Sequence, residues 1–78
     1  MKEFEIRIKS VQDVLMFVDL ATSRPFSVQV GNEFHQVNGK SFMEMFCLNF
    51  SRPLKATMDC SEDEYQQFRQ DAQALLVK

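Results

Sequence analysis

Apolar and polar residues alternate at the start of the chain and then change to a helical spacing. Phe4, Ile6 and Ile8 are separated by charged residues, and this period of two predicts a strand with one buried face. After Ser10 the spacing predicts a helix with the buried stripe Val14, Phe17, Val18 and Ala21. The helix is predicted to end at Ser23-Arg24-Pro25, because a residue before proline disfavours helical geometry.

Three further strands are predicted from alternation. The first contains Phe26, Val28 and Val30, and Gly31-Asn32 is expected to form a turn into a short strand over residues 34–37. Asn38-Gly39 is a second turn signal. The fourth strand contains Leu54, Ala56 and Met58.

Two more helices are predicted from capping signals. Ser10 with Asp13 resembles a capping box at the first helix, and complete S-x-x-E boxes occur at Ser41 and Ser61. Asn49 is expected to end the second helix in a left-handed conformation, which asparagine tolerates well. The buried stripe of the last helix is predicted to be Tyr65, Phe68, Ala72, Leu75 and Leu76.

The predicted order is therefore β-α-β-β-α-β-α, which indicates an α+β fold. Amphipathic strands and one-sided helices favour a four-stranded antiparallel sheet with three helices on one face. The split βαβ arrangement connects these elements with short loops and right-handed crossovers. With 78 residues, the chain is expected to form one domain over residues 1–78.

Composition narrows the functional classes. A formal charge of −2 and a pI of about 5.2 argue against nucleic-acid and anionic-membrane partners. Neither a membrane span nor a signal peptide is predicted, so we expect a cytoplasmic protein. Cys47 and Cys60 are then expected as buried free thiols. Their spacing and the single His35 predict no metal site, and no cofactor is expected.

Several short segments of this sequence resemble HPr, the histidine-containing phosphocarrier family of the bacterial sugar phosphotransferase system. The residues that carry the resemblance are Gly39-Lys40-Ser41-Phe42-Met43-Glu44-Met45, Phe17-Val18 and Asp63-Glu64, together with the element order. The resemblance implies an HPr-like open-faced sandwich. It also implies partner proteins, with a phosphotransfer system as their setting.

The chain departs from the family where the family's chemistry lies. The resemblance places Ser10 where the phosphorylated histidine would stand, Gln12 where the phosphate-steadying arginine would stand, and Asp13 in place of a proline. A serine phosphate ester has a much lower transfer potential than a phosphoramidate, and Asp13 would repel an incoming phosphoryl group. We therefore expect no catalytic residue and no ordinary histidine phosphocarriage.

The second helix is the strongest candidate for a binding surface. Phe42, Met43, Met45 and Phe46 are four large apolar residues within five positions, more than one short helix can bury. The resemblance implies that Phe42 and Met43 dock partner proteins, although burial in the core or in a homodimer would also explain the group. Ser41 matches the family's regulatory serine and is a candidate for phosphorylation, but a capping box with Glu44 by itself explains both residue types and is favoured.

The sequence thus favours a non-catalytic protein-binding or regulatory module. The alternative is a phosphocarrier or phosphoacceptor that uses Ser10, Ser41 or His35 instead. A third alternative is a homo-oligomeric scaffold domain split from a larger enzyme. Conventional catalysis has the least support, because the chain offers no base–nucleophile pair and no glycine-rich phosphate loop.

Overall fold

The computed structural model describes residues 2–77 and confirms the predicted element order. The strands are β1 (Lys2–Ile6), β2 (Val28–Gly31), β3 (Gln36–Asn38) and β4 (Leu54–Met58). The helices are α1 (Val11–Thr22), α2 (Phe42–Met45) and α3 (Glu62–Asp71), and a single 3₁₀ turn (Gln73–Leu75) follows α3. The α+β class and the four-stranded antiparallel sheet are as predicted.

The sheet has the strand order β1-β4-β2-β3, and every neighbouring pair is antiparallel. Ile6 pairs with Leu54, and Gly31 pairs with Lys55, so β1 and β2 both finish at the end of the sheet where β4 begins. The start of α1 and the turn between β2 and β3 therefore lie at this same end.

The core lies between the helices and one face of the sheet. Phe68 of α3 stands at its centre, with its ring centroid 5.4 Å from that of Phe4 and 5.9 Å from that of Phe17. The predicted stripe of α1 is fully confirmed, since Val14, Phe17, Val18 and Ala21 are all buried. Burying each large side chain of this kind contributes about 1.5–3 kcal/mol, so the helix is held mainly by packing.

Side chains and the last residues of the fold cover both edges of the sheet. On the β1 edge, the N–H of Arg7 donates to the carbonyl of Leu75 (2.8 Å), and the Tyr65 hydroxyl donates to the carbonyl of Glu3 (2.9 Å). On the β3 edge, the Asn38 N–H donates to Glu44 Oε1 (3.2 Å), and the Asn38 carbonyl accepts from the N–H of Ser41 (3.1 Å). These bonds satisfy backbone groups that an edge strand otherwise leaves open.

Several predicted element boundaries are wrong. β1 ends at Ile6 and does not reach Ile8, and β2 begins at Val28, after Phe26. β3 begins at Gln36, because the Asn32 side chain accepts the N–H groups of both Phe34 and His35 and holds them in a turn. Asn49 is not left-handed: no non-glycine residue in 2–77 has positive φ, and α2 already ends at Met45, with Phe46 as its right-handed C-cap. The last helix also stops early, and Leu76 instead forms a β-bridge with Ile6.

Arg24 ties the end of α1 to the end of α3. Its guanidinium donates to the carboxylate of Asp71 (2.6 Å) and to the carbonyl of Leu20 (3.1 Å), and it lies 5.0 Å above the ring of Phe68. The hydrogen bond from Arg24 lowers the pKa of Asp71. A charged pair that is also packed against an aromatic ring fixes the spacing of the two helices.

Candidate functional site

The start of helix α1 already contains a negatively charged group of its own. Ser10 is the N-cap in an extended conformation, and its Oγ accepts the N–H of Asp13 (3.3 Å). The Asp13 carboxylate accepts the N–H of Lys9 (2.9 Å). The partial positive charge of the helix end is thus matched by Asp13, in the place where an external anion would otherwise be favoured.

Ser10 is poorly arranged for phosphoryl transfer. Its hydroxyl oxygen serves as a helix cap, and a phosphate on that oxygen would stand beside the Asp13 carboxylate. Gln12 is exposed and makes no side-chain hydrogen bond within residues 2–77. The structure therefore brings Ser10 and Asp13 together as a cap, without a cation on the Ser10 hydroxyl.

Helix α2 exposes three of its four predicted partner-binding residues. The exposed fraction is 83 % for Met43, 47 % for Phe46 and 38 % for Phe42. Met45 is completely buried, so its prediction as a partner-binding residue is wrong. The reason is geometric: Met45 lies on the side of the helix that faces the core, where its side chain packs with the other buried residues.

Helix α1 adds exposed apolar residues that the sequence analysis did not single out. Val11 and Leu15, one turn apart on the same side of α1, have exposed fractions of 59 % and 43 %, and Met16 is also 43 % exposed. Helices α1 and α2 pack against each other. We call the exposed side chains of the two helices the helical patch: Val11, Leu15, Met16, Phe42, Met43 and Phe46.

The signal for the α1 part of the patch was present in the sequence. Val11 and Leu15 fall at i and i+4 but lie outside the stripe that begins at Val14. Apolar residues that lie outside the core-facing stripe of a helix do not face the core. They therefore indicate a second apolar side of the helix.

Ser41 and Lys40 are held by several contacts at the start of α2. Ser41 Oγ accepts the N–H of Glu44 (3.3 Å), which confirms its capping role. The box is not reciprocal, however, because the Glu44 carboxylate binds the N–H of Asn38 and not that of Ser41. Lys40 Nζ donates to the carbonyl of Arg24 (2.8 Å). The hydroxyl of Ser41 is therefore engaged, and its side chain is only half-exposed.

His35 lies in the exposed turn between β2 and β3. Its backbone N–H donates to Asn32 Oδ1 (2.9 Å), and its carbonyl accepts the N–H of Asn32 (3.0 Å). Phe34, beside it, is 91 % exposed. The imidazole makes no hydrogen bond or ion pair with the described part of the chain.

The two cysteines are free but differ in exposure. Cys47 is exposed, so its prediction as a buried thiol is wrong: it follows the last turn of α2, and its Sγ lies 3.5 Å from the carbonyl of Met43. Cys60 is half-buried, and burial together with the negative charge of Glu64 raises the pKa of its thiol. Residues 2–77 hold no cluster of His, Cys, Asp and Glu suited to a metal ion.

Comparison with known proteins shows which fold this architecture is. No protein-family model matches the sequence, and no curated protein matches it. Among solved structures, HPr-C-His from Thermoanaerobacter tengcongensis is similar over 95 % of this chain and 93 % of its own, with a TM-score of 0.75 and 23 % identity. The chain has the HPr fold. A histidine-containing phosphocarrier protein from Mycoplasma also matches, over 99 % of this chain and 100 % of its own, with a TM-score of 0.66 and 17 % identity.

The HPr fold confirms the architecture that the sequence resemblance implied. Within it, the start of α1 carries Ser10 and the following turn carries Gln12 and Asp13. None of the helices described between residues 2 and 77 is long and apolar enough to cross a bilayer. Six of the eight large apolar side chains that are exposed among residues 2–77 belong to the helical patch.

Proposed function

We propose that this HPr-like protein is a non-catalytic binding module that docks a partner protein through the helical patch. The observation that carries the proposal is the 83 % exposure of Met43, flanked by the partly exposed rings of Phe42 and Phe46. Contiguous exposed apolar side chains on a small protein usually mark a contact surface. Methionine suits such a surface, because its flexible thioether adapts to the partner.

The start of α1 supports binding over phosphoryl transfer. A carrier needs a nucleophile whose phosphorylated form passes the group on readily, which the Ser10 hydroxyl does not provide. Asp13 also occupies the positive end of the helix, at 2.9 Å from the N–H of Lys9. Phosphorylation of Ser10 would therefore set two negative groups side by side at the start of α1.

The setting we propose is the cytoplasm, with a protein of a sugar phosphotransferase system or of its regulation as the partner. The proposal draws on the HPr fold and on the segment from Gly39 to Met45 that resembles the HPr family. It makes the protein a competitor or regulator of such proteins, not an enzyme. Neither nucleic acid nor a membrane is part of this proposal. A homodimer that buries the helical patch would compete with binding of a partner protein.

The docking proposal can be tested with a matched pair of variants. The fluorescently labelled protein is titrated with the purified phosphotransferase that accepts phosphate from phosphoenolpyruvate. We expect Met43→Ser to weaken binding about tenfold, as truncation of an interface anchor does. Phe34→Ser removes an equally exposed apolar side chain outside the patch and should leave the affinity unchanged. Equal losses in the two variants would contradict docking through the patch. Sedimentation at low concentration separates a monomer from a homodimer.

The second candidate function is that of a phosphoacceptor. The observation that supports it is the exposure of His35, whose imidazole could accept a phosphoryl group. The protein is incubated with phosphoenolpyruvate and the same phosphotransferase, and its intact mass is measured. We expect no added phosphate. An adduct that is lost in acid but stable in base would identify a phosphohistidine at His35. An acid-stable adduct would point to a serine ester, and fragmentation of the protein would then show whether Ser10 or Ser41 carries it.

A further inference from the structure

The four methionines among residues 2–77 fall into two groups by exposure. Met45 and Met58 are in the core, with exposed fractions of 0 % and 1 %. Met43 and Met16 lie in the helical patch, with exposed fractions of 83 % and 43 %. A dissolved oxidant reaches a thioether only where the sulfur meets solvent, so the two groups should differ strongly in reactivity.

We propose that Met43 is an oxidation site at which a peroxide converts the helical patch from an apolar surface into a polar one. The sulfur lone pair attacks one peroxide oxygen, an S–O bond forms and the O–O bond breaks. The hydroxide that leaves takes up the proton of the transferred oxygen and becomes water. The thioether is oxidised by two electrons to a sulfoxide, and hydrogen peroxide is reduced. Methionine sulfoxide reductases reverse the change.

The position of Met43 makes the modification local. Its side chain projects from the first turn of α2, whereas Met45, two residues later, points into the core. A sulfoxide on an 83 % exposed side chain leaves the core packing untouched. The free energy of unfolding should therefore not change on oxidation of Met43, which separates this site from a core methionine whose oxidation disrupts packing.

The effect on docking depends on the proposed function. Between Phe42 and Phe46, the sulfoxide oxygen would have to lose its water when a partner covers the patch. An acceptor that is buried without a donor opposes association. We therefore expect oxidation of Met43 to weaken partner binding about tenfold, as loss of an interface anchor does.

Oxidation can be mapped with an internal control. The Cys47→Ser variant is used, because the Cys47 thiol lies against the Met43 turn and would consume peroxide. After brief treatment with dilute hydrogen peroxide, trypsin releases residues 41–55 as one peptide, since Arg52 precedes Pro53. Fragmentation of that peptide distinguishes Met43 from Met45. We expect the Met43 sulfoxide to form at least about tenfold faster. Equal rates, or oxidation at Met45 first, would overturn the proposal.

A second measurement tests the consequence and separates it from the docking proposal. Met43→Leu keeps the apolar surface but cannot be oxidised, and Met16→Leu is introduced in both proteins to remove the other exposed thioether of residues 2–77. Peroxide should weaken partner binding of the Met43 protein but not of the Met43→Leu protein, and a methionine sulfoxide reductase should restore it. If Met43→Ser weakens partner binding but the Met43 sulfoxide does not, the proposed effect of oxidation is wrong and the docking proposal is unaffected. If Met43→Ser has no effect while Met43 oxidises selectively, docking is wrong and the oxidation site stands.

Discussion

The carboxylate of Glu44 accepts the backbone N–H of Asn38 at 3.2 Å and so joins helix α2 to the outermost strand of the sheet. The same residue donates its own N–H to Ser41 Oγ at 3.3 Å. Glu44 therefore fixes both the start of the helix and the edge of β3. The orientation of Phe42 and Met43, which lie between Ser41 and Glu44, depends on these two bonds.

Glu44→Ala should destabilise the protein by about 1 kcal/mol, because the Asn38 N–H loses its acceptor. Glu44→Gln keeps an acceptor oxygen and should cost clearly less. Urea unfolding of the two variants gives the difference, and hydrogen exchange of the Asn38 amide should quicken in Glu44→Ala alone. Equal losses in both variants would mean that the bond to Asn38 contributes little.

The two glycines should respond very differently to alanine. A Cβ on Gly31 would clash with the backbone carbonyl oxygen of His35, so the turn between β2 and β3 would have to move. A Cβ on Gly39 would meet only side-chain atoms of Val28, Val30 and Phe17, at 3.0–3.2 Å. We expect Gly31→Ala to cost about 3 kcal/mol and Gly39→Ala roughly 1 kcal/mol. Thermal unfolding measures both, and the reverse order would contradict this account of the turn.

The Arg24–Asp71 pair should make stability depend on pH in the acidic range. The hydrogen bond from Arg24 lowers the pKa of Asp71 in the folded state. Its stabilising contribution is therefore complete above the unfolded-state pKa of about 3.9 and is lost as the pH falls through the lower folded-state pKa. Asp71→Asn should be less stable than the natural protein at pH 7, and the difference should vanish in strong acid.

The control for the Arg24–Asp71 pair is the Asp71→Asn substitution in a protein that lacks the Arg24 guanidinium. In an Arg24→Gln background, Asp71→Asn should change the free energy of unfolding little at any pH. Urea unfolding at pH 7 and in strong acid, on all four proteins, completes the cycle. A loss that is equal at both pH values would show that Asp71 acts through something other than its charge.

The two thiols should react at different rates with a disulfide reagent such as DTNB. Cys47 is exposed, whereas Cys60 is half-buried and has a raised thiol pKa, because burial and the nearby Glu64 disfavour the thiolate. Only the thiolate attacks the reagent. At pH 7.5 the Cys60→Ser protein, which retains Cys47, should react about tenfold faster than the Cys47→Ser protein. Equal rates would contradict the burial of Cys60.

The sequence predicted the helices and strands well where the apolar spacing covered the whole element or where both residues of a capping box were present. The stripe of α1 from Val14 to Ala21 and the box of Ser61 with Glu64 both appear in the structure as expected. The predictions failed where a distant group decides the geometry. Alternation suggested a strand from Phe34, but the Asn32 side chain captures the two backbone N–H groups there. Such a contact leaves no periodic trace in the sequence.

The exposed apolar surface of α2 was predictable from the sequence, but the identity of its buried residue was not, because a contact outside the helix decides it. Composition showed that α2 has more large apolar residues than one stripe can bury, but not which of them is buried. The structure assigns Met45 to the core and leaves Met43 in solvent. In a four-residue helix the side that faces the core depends on how the chain leaves β3, and the bond between Glu44 and Asn38 sets that exit.

The coverage of both sheet edges determines how copies of this protein can meet. Tyr65 and the residues around Leu75 close one edge, and Glu44 with Ser41 closes the other. A neighbouring molecule therefore meets fewer open backbone donors and acceptors along these edges, which disfavours fibre-like growth of the sheet. Self-association at high concentration should instead proceed through side chains on the helices, and it should be reversible on dilution.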